Sequence, residues 1–108
     1  EENIIRDIPF LDHTAGIRNV EGVAFSTIRN NVLVNVPFGI SLDKGDIPGN
    51  APFFVEVYNN KIEKVGIGIY IDSGKVPLSM NIKLFNNTFI HTQLPIFIEP
   101  TVYDINLL

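Results

Sequence analysis

The chain has no cysteine and no tryptophan. Without cysteine, disulfides and thiolate metal sites are excluded. Charge is scarce as well: charged residues make up 19% of the 108, below the usual quarter. The basic sign is the scarcer one, with 8 Lys and Arg against 12 Asp and Glu and a net charge of -4. A nucleic-acid partner is not expected, because phosphate binding needs clustered Lys and Arg. No apolar run approaches the roughly 20 residues that a helix needs to cross a bilayer, so no membrane span is expected. The opening EENIIRD lacks a basic stretch of the kind that begins a secretory leader. The closing YDINLL breaks off inside an apolar pattern. Residues 1–108 are therefore expected to be one unit and a segment of a larger protein.

What the chain does have is Ile, Val and paired asparagines. Asn30-Asn31, Asn59-Asn60 and Asn86-Asn87 recur at intervals of 29 and 27 residues. Around them three stretches align without a gap: FSTIRNNVLVNVPFGISLD, FVEVYNNKIEKVGIGIYID and NIKLFNNTFIHTQLPIFIE. A partial fourth copy precedes them, in which Ile8-Pro9-Phe10-Leu11 matches Leu94-Pro95-Ile96-Phe97. Its asparagine pair would fall at or just before the start of the chain. Each copy holds three short alternating segments and no sustained helical period of apolar residues. Such a repeat predicts an all-β fold of stacked strands, equivalent residues lying one above another at about 4.8 Å.

The segments IRNNVL, VYNNKI and LFNNTF, followed by FGISL, GIGIYI and LPIFI, resemble the right-handed parallel β-helix repeat of the pectate-lyase-like superfamily. The resemblance covers nearly the whole chain. It implies a single-stranded right-handed parallel β-helix, a β-solenoid of about four coils with an internal Asn ladder. It is specific for fold and not for activity, since lyases, hydrolases, esterases, adhesins and phage tailspikes share that fold. The Asn-Thr-Asp segment, Asp-Asp pair and Gly-His-Gly segment of the polygalacturonase-like members do not occur here. The lyase members use Arg or Lys as base with calcium held by acids. Here Arg is limited to Arg6, Arg18 and Arg29, and in the alignment none stands beside an acid column.

Alternation within strands assigns the faces. It turns Ser26, Val55 and Ile82 inward, with Ile28, Val57 and Leu84, and Leu33, Ile62 and Phe89. In the third segment it turns in Phe38, Ile67 and Leu94, then Ile40, Ile69 and Ile96, then Leu42, Ile71 and Ile98. By the same parity Asn30, Asn59 and Asn86 are inward rungs of a structural Asn ladder, bonded amide to amide. Asn31, Asn60 and Asn87 then take the left-handed conformation at the corner. Asn86-Asn87-Thr88 matches the glycosylation sequon, but an inward Asn86 would not carry a glycan.

The outward columns are where function is sought. Ser41, Tyr70 and Phe97 stack on the third segment, with Asp43, Asp72 and Glu99 two residues on and His13 near the same column. Aromatic rings beside carboxylates suit a polysaccharide or glycan, rings meeting pyranose faces and carboxylates accepting hydroxyl hydrogens. The plain alternative is that these acids end their strands at turns. Asp43 and Asp72 are the weak candidates for a catalytic pair, about 5 Å apart by stacking alone. If the protein is an enzyme, the resemblance implies a polysaccharide lyase or glycoside hydrolase. A second outward column holds Arg29, Tyr58 and Phe85 beside Thr27, Glu56 and Lys83, for which a cation–π contact and an ion pair give a structural account. No cofactor or metal is required; calcium at Asp43, Asp46 and Asp72 is the one cation site the spacing allows. His13 and His91 fall in different columns, which argues against a zinc site.

The loops DKGDIPGNAPF and DSGKVPLSM adjoin the acid column and differ in length, so specificity is expected at that edge. Two readings of function follow. The first is part of an extracellular or cell-surface carbohydrate-binding or carbohydrate-active β-helix protein. The second is a structural β-solenoid module of a surface filament, stalk or adhesin with no catalysis. In either, unpaired strand edges at the open ends invite further β-helix coils or another chain.

Overall fold

A computed structural model describes residues 2–6, 15–20, 24–43, 53–72, 78–100 and 102–107. Twelve short strands run along them: β1 (Ile4–Arg6), β2 (Ala15–Val20), β3 (Ala24–Arg29), β4 (Val32–Val34), β5 (Phe38–Asp43), β6 (Phe53–Tyr58), β7 (Lys61–Glu63), β8 (Ile67–Asp72), β9 (Leu78–Phe85), β10 (Thr88–Ile90), β11 (Leu94–Ile98) and β12 (Val102–Leu107). No helix occurs among the described residues.

The all-β expectation holds, but the single right-handed β-helix does not. The strands form three separate four-stranded parallel sheets, ordered β1-β4-β7-β10, β2-β5-β8-β11 and β3-β6-β9-β12. Alternation says which residues face inward; it does not say which strands share a sheet. That is decided by the bends between segments, which pass the chain from one sheet to the next, so that each strand pairs with the one three places along. Three consecutive strands, one in each sheet, are called a tier below.

The bends rest on left-handed backbone. Asn30, Asn59 and Asn86 have φ of 58, 55 and 54°, and Glu2 takes the same place in the first tier at 57°. Asn35, Lys64 and His91, at 56, 57 and 50°, make a second such corner. Asn tolerates this region better than other L-residues because its short amide bonds locally.

The ladder is therefore shifted by one residue from its expected place. Asn30, Asn59 and Asn86 are the exposed corners, and Asn31, Asn60 and Asn87 are the rungs. Counting alternation through a left-handed residue reverses the parity, which is why the sequence misassigns them. Asn31 Nδ2 donates to Asn60 Oδ1 at 3.0 Å, and Asn60 Nδ2 to Asn87 Oδ1 at 3.0 Å. Asn3 supplies the first rung, its Nδ2 donating to Asn31 Oδ1 at 3.2 Å. Each lower rung also gives its backbone N–H to the Oδ1 above, from Asn3, Asn31 and Asn60 at 3.2, 3.1 and 3.2 Å. Spare amide protons reach main-chain carbonyls, Asn60 to Ile28 and Asn87 to Val57. Buried amides are tolerated because every one is bonded.

The core is aliphatic. Leu33, Ile40, Leu42, Val55, Val57, Ile62, Ile69, Ile71 and Ile82 are fully buried, in the columns that alternation marks within each strand. Val36 and Val65 join them from the second corner. Parity fails again at Gly39 and Gly68. The Phe38 ring lies 5.4 Å from that of Tyr70, on the outer side, and Leu94 in the same column is exposed. Phe38, Ile67 and Leu94 thus do not belong to the inward set. The strand beside β5 in the first tier is β2, with Ala15 opposite Phe38 and Val20 opposite Asp43. Ile8–Leu11 and His13, expected to fill that tier, lie outside the described residues, as do Asp46 and most of the two unequal loops.

Candidate functional site

The expected site residues do come together on the outer face of β5, β8 and β11. Ser41 pairs with Tyr70 and Tyr70 with Phe97, and Asp43 pairs with Asp72. Their polar groups, however, are engaged within the protein. Arg18 Nε and Nη2 donate to the two oxygens of Asp43 at 3.0 and 2.9 Å. Ser41 Oγ donates to Asp43 Oδ2 at 2.7 Å. This corrects the alignment that kept arginine away from the acid column: Arg18 sits opposite Ser41. Both oxygens of Asp43 are thus engaged by charge-assisted hydrogen bonds within the protein.

Tyr70 bridges the other two acids. Its hydroxyl lies 3.2 Å from Asp72 Oδ2 and 3.2 Å from Glu99 Oε1. Burial, then the charges of Asp72 and Glu99, raise the phenol far above its usual range. It stays a neutral donor shared between two carboxylates. The rings of Tyr70 and Phe97 stack on each other, centroids 5.7 Å apart and planes within 14°. Both rings are only partly exposed. No group of three or more His, Asp or Glu able to hold a metal occurs among the described residues. His91 stands at an exposed corner.

The second outward column is likewise turned on itself. Arg29 Nη1 donates to the Tyr58 hydroxyl at 3.2 Å. Tyr58 stacks on Phe85 at 4.6 Å.

Among the described residues, the most open aromatic surface lies apart from both of these columns. Phe25 in β3 and Phe54 in β6 are 78% and 45% exposed. Their rings stack with centroids 5.1 Å apart and planes within 2°. Both have left-handed backbone, φ 55 and 54°, continued by Asn81 at 49° and Asp104 at 65°. For a bulky residue this is a true outlier, of the kind that functional sites retain. Beside the rings runs a groove of about 430 Å³ over three tiers. One wall is Phe25, Phe54 and Asn81; the other carries Thr27, Glu56 and Lys83, which lie in register. The signal was present in the repeat: Phe25, Phe54 and Asn81 are the first residues of the three aligned stretches.

Comparison with protein-family models, with curated proteins and with solved structures finds no match, so no relative connects the chain to the pectate-lyase-like superfamily or supplies a function.

Proposed function

We propose that the chain is a carbohydrate-binding repeat module and that a neutral polysaccharide lies in the groove beside Phe25 and Phe54. The observation carrying this reading is the pairing of an exposed aromatic wall with a hydrogen-bonding wall along one groove. Apolar C–H faces of a sugar pack on aromatic carbon, while Thr27, Asn81, Glu56 and Lys83 offer donors and acceptors to hydroxyls. One acid and one base among them favour an uncharged polymer over a polyuronate or a sulfated chain. An extracellular or cell-surface setting goes with such a ligand. The role proposed for the groove is binding, without bond cleavage. Affinity electrophoresis in gels containing neutral polysaccharides tests it. Wild type should be retarded by at least one polymer, Phe54→Asn much less, and Tyr70→Phe as much as wild type. Retardation by none of a broad set overturns the proposal.

A second reading, a structural module of a filament, stalk or adhesin, is favoured by the outer face of β5, β8 and β11. There Arg18, Ser41 and Asp43, and Tyr70, Asp72 and Glu99, bond among themselves.

A further inference from the structure

One column of the second sheet has no side chain at all in three tiers. Phe38, Ile67 and Leu94 are in register, as are Ile40, Ile69 and Ile96, so Gly39, Gly68 and Pro95 fall in one column, with Gly16 in the tier before. A methyl group on Gly39 would lie 2.5 Å from the carbonyl oxygen of Gly68. One on Gly68 would lie 2.5 Å from the carbonyl oxygen of Pro95, and one on Gly16 3.1 Å from that of Gly39. Each missing methyl would meet the next tier: its carbonyl, and also the Leu33 side chain at 2.6 Å for Gly16, that of Ile62 at 3.2 Å for Gly39 and the Phe89 ring at 2.6 Å for Gly68. Glycine here permits a following tier to approach at sheet distance.

The fourth tier breaks the rule. Pro95 stands in β11, exposed on the edge of its sheet. It has the Cβ that the three glycines lack and no N–H to give to a ladder.

The rest of that end is suited to receive a tier. Asn87 is the last described rung; a further asparagine Oδ1 would accept its backbone N–H, as Oδ1 of Asn87 accepts that of Asn60. Phe89 and Ile96 are only partly buried, whereas Ile62 and Ile69 beside them in the same columns are fully buried. The β1–β2–β3 edge has the matching parts. Asn3 begins the ladder, and Ile5 and Ile17 begin the same two apolar columns. A second copy set head to tail would put Asn3 on Asn87, Ile5 on Phe89, Ile17 on Ile96, and the carbonyl of Gly16 against the Pro95 ring.

We propose that Pro95 is a stacking stop, keeping a second copy of this chain from adding head to tail onto the β10–β11–β12 edge. Edge prolines are a known means of preventing strand-to-strand association. Here the block is steric and lies at one atom, the Pro95 Cβ. The Asn ladder and the two apolar columns match across the two edges, so a single substitution should release association.

Size-exclusion chromatography with light scattering over a concentration series tests this on the 108-residue chain. Wild type should keep the monomer mass throughout. Pro95→Gly should rise to twice that mass or more as concentration increases. Pro95→Ala restores the N–H but keeps the Cβ, and should remain a monomer. A wild-type mass that climbs with concentration overturns the proposal, whatever the variants do. So does a Pro95→Gly chain that keeps the wild-type circular dichroism and stays monomeric, or a Pro95→Ala chain that associates as strongly as Pro95→Gly.

Discussion

Asn31 and Asn60 are joined amide to amide at 3.0 Å, while the residue before each, Asn30 and Asn59, sits exposed in a left-handed corner. Neighbouring residues of one type therefore do unlike work, and substitutions separate them.

Asn60→Leu should lower stability by about 2–4 kcal/mol, since it removes donors and acceptors from a buried ladder and strands those of its neighbours. Asn59→Gly should be neutral within about 0.5 kcal/mol, because glycine takes φ 55° without strain. Urea denaturation of both variants is the check. Equal losses would place the two asparagines in equivalent environments, against the ladder described.

The bridge from Tyr70 to Asp72 and Glu99 predicts an alkaline limit. The folded phenol holds its proton above the usual pKa, while the unfolded one releases it near pH 10. Above that pH the unfolded state binds fewer protons than the folded state, so stability falls as pH rises. Below it the contribution is fully present. Stability from chemical denaturation should therefore decline above about pH 10, and Tyr70→Phe should decline less steeply. A parallel decline in both would remove Tyr70 as its source.

Gly68→Ala should destabilise by about 1–3 kcal/mol, because the added methyl meets the Pro95 carbonyl at 2.5 Å and the Phe89 ring at 2.6 Å. Gly66→Ala meets only the Pro37 carbonyl, at 3.0 Å, and should cost less than about 1 kcal/mol. Thermal melts of the two proteins compare them directly.

These glycines and asparagines also mark where the sequence is legible. Within a strand, alternation places Val55, Val57, Ile69 and Ile71 inward, and all four are fully buried. The register between copies is readable too: Ser41 does face Tyr70 across the ladder. Counting fails where the backbone leaves the pleat, at the left-handed asparagines and at Gly39 and Gly68: Asn30, Asn59 and Asn86, and Phe38, Ile67 and Leu94, are assigned to the wrong side, while Leu33 and Ile62, counted afresh beyond the corner, are placed correctly. The division into three sheets and the Arg18–Asp43 pair depend on how those bends aim the chain, which no periodicity states. Phe25 and Phe54 are visible in the repeat as a column, but their exposure follows from left-handed backbone inside a strand, which the sequence gives no reason to expect of phenylalanine.

That backbone gives the sharpest test of the groove. Phe25→Asn replaces a bulky left-handed residue by one that tolerates the region and already stands at Asn81 in the same column. Relief of strain, about 1–2 kcal/mol, opposes loss of the Phe54 ring contact, about 0.5–1.5 kcal/mol. Phe25 is 78% exposed, so little burial is lost. Stability should thus change by less than about 1 kcal/mol. Affinity for a retained polysaccharide should fall about tenfold or more, the loss of roughly 1.4 kcal/mol. Urea melts and affinity electrophoresis on the same preparation read the two quantities. A large loss of stability with unchanged binding would make Phe25 a structural residue and move the ligand out of the groove.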